Sequence, residues 1–558
     1  MIPYETDVLI AGGGPCGLML AIELGRRGVR AVLVDPKPGT AFNPQANATQ
    51  ARTMEHFRRL GFADEIRALG LPGDYPTDIA YFTRYTAHEL GRVRLPSSAE
   101  AVRRIRGMGG SWSAAEPPHR VAQKFVEQVL HRHARALPGI AVHFGWRLAA
   151  FAEDRDGIAA TVTETGSGAE RPIRARYLFG ADGPRSFVRH ALGIGYGGDG
   201  GARRDFMGGR MHAIYLHAPD FYAICPHPPA WMYWTFNRER RALMAAVDGA
   251  GEFAFHAQLH PEEEADEAGP DEAAAVAMVE QAVGARIPLR ILGRMSWLAG
   301  RALVADRFGA GRVFLGGDAA HLFTPTGGMG YNTAIEDAVN IGWKLAAVIR
   351  RGADPALLAS YAAERRPVAI RNTGFARGFA DSVGLYRPSP ALETDSLAGT
   401  AARARAGAYL EQHARAEFNI PGLTLGGRYD GSPIIADDGT PPPPDAAGAY
   451  VPTGKPGGRA PHVWLADGRS LFDTFGFEWT LLRLGPAPPS PEMFVAAARM
   501  LGIDLAVVTC EDAEAFDLYE SDLVLIRPDQ VVAWRRDGRD GRVAAAVLAR
   551  AAGAQPMA

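Results

Sequence analysis

Residues 7–11 read DVLIA, a short apolar run between polar neighbours, and predict a buried parallel strand. Beyond a glycine turn, Leu18, Ala21, Ile22 and Leu24 recur at helical spacing, and Gly28 closes that helix. Residues 31–34 form the next strand, with Asp35 at its end. Residues 177–189 repeat the theme as strand, turn and helix. Residues 311–321 give another strand ending in Gly-Asp, and Ala334, Ile335, Ala338, Ile341, Leu345 and Val348 mark a following helix. Residues 211–217 and 231–236 alternate with the two-residue period of half-buried strands. Residues 81–106 are polar, arginine-rich and loosely patterned, which predicts surface charge. Residues 480–484, 505–509 and 523–526 read as strands, with helices between and after them. No apolar run approaches the roughly 20 residues needed to cross a bilayer.

Composition narrows the picture. A chain of 558 residues suggests three or four domain-sized units at roughly 150 residues each. Lys+Arg 60 against Asp+Glu 62 leaves a formal charge of -2, so no overall basic field attracts nucleic acid or an anionic membrane. The three cysteines, Cys16, Cys225 and Cys510, lie far apart, without a CxxC. That spacing argues against a disulfide framework and a thiolate zinc site and fits a reducing, cytoplasmic setting; the start of the chain has no signal-peptide pattern. Residues 262–272 are acidic and predict a solvated helix face or turn, not a metal site.

The chemistry starts at Gly12-Gly13-Gly14-Pro15-Cys16-Gly17, a GxGxxG placed between strand and helix, with Asp35 closing the unit. Gly12 permits the tight turn, Gly14 lets a pyrophosphate approach the backbone, and Gly17 lets helix and strand pack closely. The helix N-terminus offers free N–H groups and the positive end of a dipole. Asp35 accepts hydrogen bonds from a ribose 2′-hydroxyl and disfavours a 2′-phosphate. This unit alone does not separate FAD from NAD. The later Gly317-Asp318 strand end runs into a second glycine loop, with Pro325, Gly327, Gly328, Gly330, Tyr331 and Asn332 before its helix. Two such sites far apart in sequence suit a ligand too long for one crevice.

GxGxxG, Asp182-Gly183 and Gly317-Asp318, in that order, resemble the single-component FAD aromatic hydroxylases of the para-hydroxybenzoate and phenol hydroxylase type. The stretch ending in Tyr361-Ala-Ala-Glu-Arg365-Arg366-Pro367 resembles the same family. The resemblance implies an α/β fold. A Rossmann-like FAD-binding domain would occupy residues 1–190 and 301–380, and a sheet-rich substrate domain residues 191–300. A helical and linker region would span 381–460, and a thioredoxin-like domain without CxxC residues 461–558. It implies that Gly12, Gly14, Pro15, Cys16, Gly17 and Asp35 hold the ADP half of non-covalent FAD. Gln123 would touch the flavin side, Asp182 would serve both FAD and the nicotinamide, and Asp318 would hold the ribityl chain. Gly328, Gly330, Tyr331 and Asn332 would face the flavin pyrimidine edge, and Pro325 would lie between flavin and substrate.

The implied reaction takes NADPH or NADH and O₂ and hydroxylates a phenolic or polyketide-like aromatic compound through a flavin C4a-hydroperoxide. The chain lacks a second dinucleotide unit, as the family does, and a homodimer is the oligomer the resemblance points to. Baeyer–Villiger oxygen insertion and an O₂-independent flavin dehydrogenase or reductase are the alternatives. Two positions depart from the family. Gln45 stands where many members carry an arginine on the FAD phosphate. Asn47 stands at the position of the phenol hydroxylase aspartate, and an amide can orient a substrate but not act as its base. His212 and Tyr233, in the most aromatic stretch, are the remaining candidates for polar substrate contacts. His321 is read as a structural or helix-capping histidine.

Overall fold

A computed structural model describes residues 2–44, 46–200, 207–263, 269–536 and 544–553. The first sheet has eight strands. Its parallel core places Glu5–Ala11 between Ala31–Asp35 and Glu170–Gly180, with Val313–Leu315 beyond the latter. Val8, Leu9 and Ile10 are fully buried because helices cover both faces of this parallel core. Helix Pro15–Arg26 packs against the long helix Met329–Arg351, so the two glycine loops open side by side at the carboxyl ends of these strands.

The second sheet has seven strands, in spatial order Arg290–Ala299, Gly209–His217, Glu252–Gln258, Arg241–Ala246, Met232–Phe236, Ile79–Phe82 and Glu89–Val93. Two of these strands come from within residues 1–190, so the sheet is not confined to 191–300. Ile79–Phe82 is four residues, all buried, and pairs in parallel with Met232–Phe236. A strand that short and buried on both faces leaves no alternation to read. The neighbouring arginines are also more engaged than surface charge: Arg92 binds Asp78 and Glu89, and Arg84 binds Glu239 and Glu393.

Residues 381–460 do more than connect. Helix Leu397–Phe418 lies against Glu89–Val93, close enough that a Cβ on Gly91 would sit 3.2 Å from the Gly407 Cα. The last unit is a four-stranded sheet in the order Leu505–Cys510, Trp479–Leu484, Leu523–Ile526, Val532–Arg535. Its first two strands are parallel and the other two join antiparallel. Cys510 is buried and unpaired there. The acidic stretch lies partly outside the described residues. Its end caps helix Glu272–Val283 through Asp271, which accepts from the Ala274 N–H at 2.8 Å. Among the described residues no helix is long and apolar enough to cross a membrane.

A dinucleotide cradle facing an aromatic sheet

Gly12 has φ +112°, a conformation open to glycine, and a Cβ there would come within 2.1 Å of the Ala181 carbonyl oxygen. The first glycine motif is therefore locked against the Ala181-Asp182-Gly183 turn. A Cβ on Gly17 would sit 2.0 Å from the Gly12 carbonyl oxygen, which explains the third glycine. Gly14 differs, since nothing described lies within 4 Å of its Cβ position. That open space, beside a helix start with Pro15 in its first turn and no side-chain cap, is shaped for a pyrophosphate. Asp35 is buried and accepts from the Gly13 N–H at 2.7 Å and the Lys37 N–H at 2.8 Å. Cys16 is buried against Gly317, where burial pushes its thiol pKa up, so it acts as a small packing residue between the two loops.

Both oxygens of Asp182 are committed to the turn that follows. One accepts from Ser186 Oγ at 2.5 Å and the other from the Val188 N–H at 3.0 Å. Its visible work is to start helix Phe187–Ala191. Asp318 is instead open to solvent in the cleft, and the protein crowded around it still raises its carboxyl pKa. His321 is buried and meets Asp337 at 2.6 Å; Asp337 also accepts from Gly317 N–H and Arg365 Nε. The histidine is thus structural, as its sequence context indicates.

Gly328 is the N-cap of helix Met329–Arg351, at φ 63°, with no side-chain cap, so the N–H groups of the first turn stay available. Gly330 lies in that turn. The Asn332 side chain does not reach outward: its Oδ1 accepts from Gln50 N–H at 2.8 Å, and its Nδ2 donates to Ala48 O at 2.9 Å. Tyr331 Oη lies 3.2 Å from Thr49 Oγ1. Residues 48–50 are thereby pinned to the helix start. They pair in turn with His119, and Gln123 N–H donates to Ala46 O at 2.6 Å. Gln123 Nε2 donates to Glu127. Pro325 is exposed in the cleft, and the Asn47 side chain enters no hydrogen bond with the described residues. Gln45 lies outside the described residues.

The aromatic sheet turns one face to this cradle. Ala254 packs on Ala122 and Phe125, Phe42 meets Tyr215 at 5.6 Å, and Lys124 Nζ reaches Glu252 at 3.1 Å. Strand register then places a row across the same face: Met295, Ala213, His256, Leu243, Trp234, Tyr81 and Gly91. Among the described residues, buried polar atoms there without a protein partner include Tyr81 Oη, His256 Nδ1 and Trp297 Nε1. Burial holds the His256 pKa at about 4, so the ring is neutral at pH 7.

His212 and Tyr233 sit on the opposite face. His212 pairs with Ser296 and Ala257, and its Nδ1 meets Ser296 Oγ at 3.1 Å; burial first, then Arg294, lowers its pKa to about 4. Tyr233 packs on Phe82, Tyr85 and Phe221 and accepts from Ala230 N–H at 2.8 Å. Neither faces the cradle. Alternation with period two shows that two faces exist, not which one meets the cofactor.

Sequence reasoning missed Glu417. It is buried on helix Leu397–Phe418 and accepts from the Gly327 N–H at 2.9 Å, while its other oxygen lies 2.8 Å from His413 Nε2. This clamp holds the second glycine loop from the far side. Its one signal was the helical spacing of His413 and Glu417.

A helix start without a side-chain cap at each of two glycine loops, with Asp318 exposed, marks a dinucleotide-binding α/β protein. An FAD binding domain family matches residues 5–376, and an aromatic-ring hydroxylase C-terminal family matches residues 453–555. The chain belongs to this family of FAD-dependent aromatic-ring monooxygenases. Aklavinone 12-hydroxylase DnrF of Streptomyces peucetius is 35% identical over 88% of this chain and 96% of its own length. The 2,4-dichlorophenol 6-monooxygenase of Delftia acidovorans is 31% identical over 95% of each chain. Among solved structures, RebC with bound 7-carboxy-K252c superposes with a TM-score of 0.87 at 34% identity, covering 99% of this chain and 100% of that one. Aklavinone-11 hydroxylase with FAD and aklavinone gives a TM-score of 0.80 at 27% identity, covering 99% of each chain.

Proposed function

We propose that this enzyme uses NADH or NADPH and O₂ to hydroxylate a phenolic, polyketide-like polycyclic substrate. The substrate lies between the second glycine loop and the inward face of the seven-stranded sheet. The observation that carries this reading is that inward face, a broad aromatic surface on which Tyr81, His256 and Trp297 keep unsatisfied polar atoms. A protein core pairs such atoms, and a ligand with ring oxygens can complete them. Relatives named for hydroxylating aklavinone, and the RebC structure with bound 7-carboxy-K252c, support a multi-ring occupant, while the 2,4-dichlorophenol 6-monooxygenase supports a phenol.

Bound FAD supplies electron transfer and activation of O₂. The geometry supports these roles for the protein's own residues. Gly14 and the start of helix Pro15–Arg26 hold the pyrophosphate, Asp35 orders the loop beside the ribose, and Asp318 holds a hydroxyl of the connecting chain. The free N–H groups of Met329 and Gly330 stabilise negative charge at the flavin's pyrimidine edge. Pro325, next to this loop, separates flavin from substrate, and the walls of the pocket exclude water. Asn47 and Gln123 border the pocket from the loop side and orient polar atoms without acting as bases. The strand order of the last unit, with its parallel first pair, supports a thioredoxin-like fold that lacks the paired cysteines of exchange chemistry.

The test is oxidation of NADH and NADPH by the FAD-loaded enzyme under ¹⁸O₂, with phenols and polycyclic phenols supplied. Substrate-stimulated oxidation with label in a new aromatic hydroxyl is expected. Label in a lactone would move the reaction to Baeyer–Villiger insertion. Stimulated oxidation that persists without O₂ would make the enzyme a dehydrogenase.

A further inference from the structure

Arg120 stands apart from the other interior arginines. Its guanidinium carbon lies 4.1 Å from the centroid of the Trp231 indole, and it makes no hydrogen bond and no ion pair with the described residues. It is only partly accessible, and burial alone lowers its pKa to about 10, with no carboxylate nearby to raise it. By contrast Arg52, Arg59, Arg365, Arg459 and Arg527 each meet a carboxylate at 3.0 Å or less.

Its position is as telling as its isolation. The neighbouring His119 turns away, to Ser98 Oγ and Leu69 O, and its backbone pairs with Thr49 beside the second glycine loop. Arg120 is thus one residue from the Thr49 pairing, which Tyr331 ties to the second glycine loop, and its guanidinium lies on Trp231 of the sheet. Trp231 and Met232 both donate their N–H groups to Asp78 O, at 3.0 and 3.1 Å. Trp231 stands immediately before strand Met232–Phe236, outside its strict alternation. There it also meets Phe418, the residue after Glu417, at 5.7 Å. The indole fixes the plane of the guanidinium and leaves its N–H fork uncommitted.

We infer that Arg120, oriented on Trp231, is a specificity-determining residue that binds a carboxylate on the aromatic substrate. This deepens the reading of the pocket given above and rests on it. A partly desolvated guanidinium without a counter-ion has a strong preference for a permanent anion, and its fork matches a carboxylate in bidentate geometry. A neutral phenol offers one oxygen and no charge.

The experiment titrates FAD-loaded enzyme with anthraquinone-2-carboxylate and with its methyl ester, following the flavin absorbance, so no turnover is required. The wild type should bind the acid at least about tenfold more tightly than the ester, the order expected of a charge-assisted contact. Arg120→Gln should abolish that preference while keeping FAD affinity and ester affinity, and Arg120→Lys should retain part of it. Equal binding of acid and ester by the wild type would overturn the inference, as would a preference that survives in Arg120→Gln. In either case an unchanged ¹⁸O result would leave the hydroxylase reading standing. If neither probe binds while a polycyclic phenol does, the carboxylate is wrong and the pocket is right. If no aromatic compound perturbs the flavin, both readings fall together.

Discussion

The seam between the FAD-binding unit and the C-terminal unit, and the pocket in front of the aromatic sheet, treat buried charge in opposite ways. At the seam, Arg459 reaches Glu55 at 2.9 Å, and Arg527 holds Glu364 at 2.7 Å and Asp529 at 2.6 Å. Glu364 also receives Lys344 at 2.6 Å and Ser432 at 2.7 Å. Every charged group named there has an opposite charge and further hydrogen bonds. In the proposed pocket, among the described residues, Arg120 meets no acid, and Tyr81 Oη, His256 Nδ1 and Trp297 Nε1 have no partner. Burial without a partner costs free energy, so the open groups in front of the sheet are the ones the proposed substrate would complete.

The contrast can be broken at several points. The largest effect belongs to the seam. Glu364→Gln leaves Lys344 and Arg527 short of a charge and should destabilise the protein by about 3–5 kcal/mol in urea unfolding. A loss under about 1 kcal/mol would mean that the seam is not matched as its geometry indicates. Acid should reveal the same chemistry. Burial pushes the Glu55 carboxyl up, but Arg459 and Arg52 hold it down at about 2. A depressed carboxylate adds stability above its unfolded pKa of about 4.3, and that stability disappears as pH falls towards 2, by roughly 3 kcal/mol. Glu55→Gln should flatten that part of the stability–pH curve, as read by thermal unfolding at successive pH values.

On the open side, Gly14→Val fills the cradle and should weaken FAD by tenfold or more in a fluorescence titration. The fold should hardly change, because nothing described stands within 4 Å of the added Cβ. Arg120→Met should show the seam's opposite sign. With no partner to lose and a desolvated charge removed, the melting temperature should hold or rise slightly. The smallest effect is expected on the outward face of the sheet. Tyr233→Phe removes one acceptor from Ala230 N–H and should cost about 1 kcal/mol of stability while kcat stays within about twofold. A large fall in kcat would put Tyr233 back at the site.

What could be read along the chain was local. The first strand, glycine turn, helix and Asp35 lie within thirty or so consecutive residues, and each glycine's duty follows from its spacing. The second glycine loop and three of the four strands of the C-terminal unit were legible for the same reason; Val532–Arg535, where a helix was expected, was not. Long-range placement was not. Which face of the sheet turns to the glycine loops depends on Ala254 landing on Ala122 and Phe125, distant in sequence. Ile79–Phe82 hides in a polar, arginine-rich stretch because all four of its residues are buried. Nothing in the sequence around Arg120 singles it out; its contact with Trp231, far along the chain, does. Glu417 sits in an alanine- and arginine-rich helix whose pattern says nothing about the Gly327 N–H it will meet.

The seam also bears on how such enzymes can be recombined. The C-terminal family match begins at residue 453, which makes that point look like a natural joint for hybrid genes. Arg459 and Arg527 lie beyond it, while Glu55 and Glu364 lie before it. A hybrid that takes its tail from a relative inherits one half of each pair and must find the other in its new host. The heritable module is therefore the set of charge pairs that spans the joint, and productive crossovers should be those that keep both halves in register.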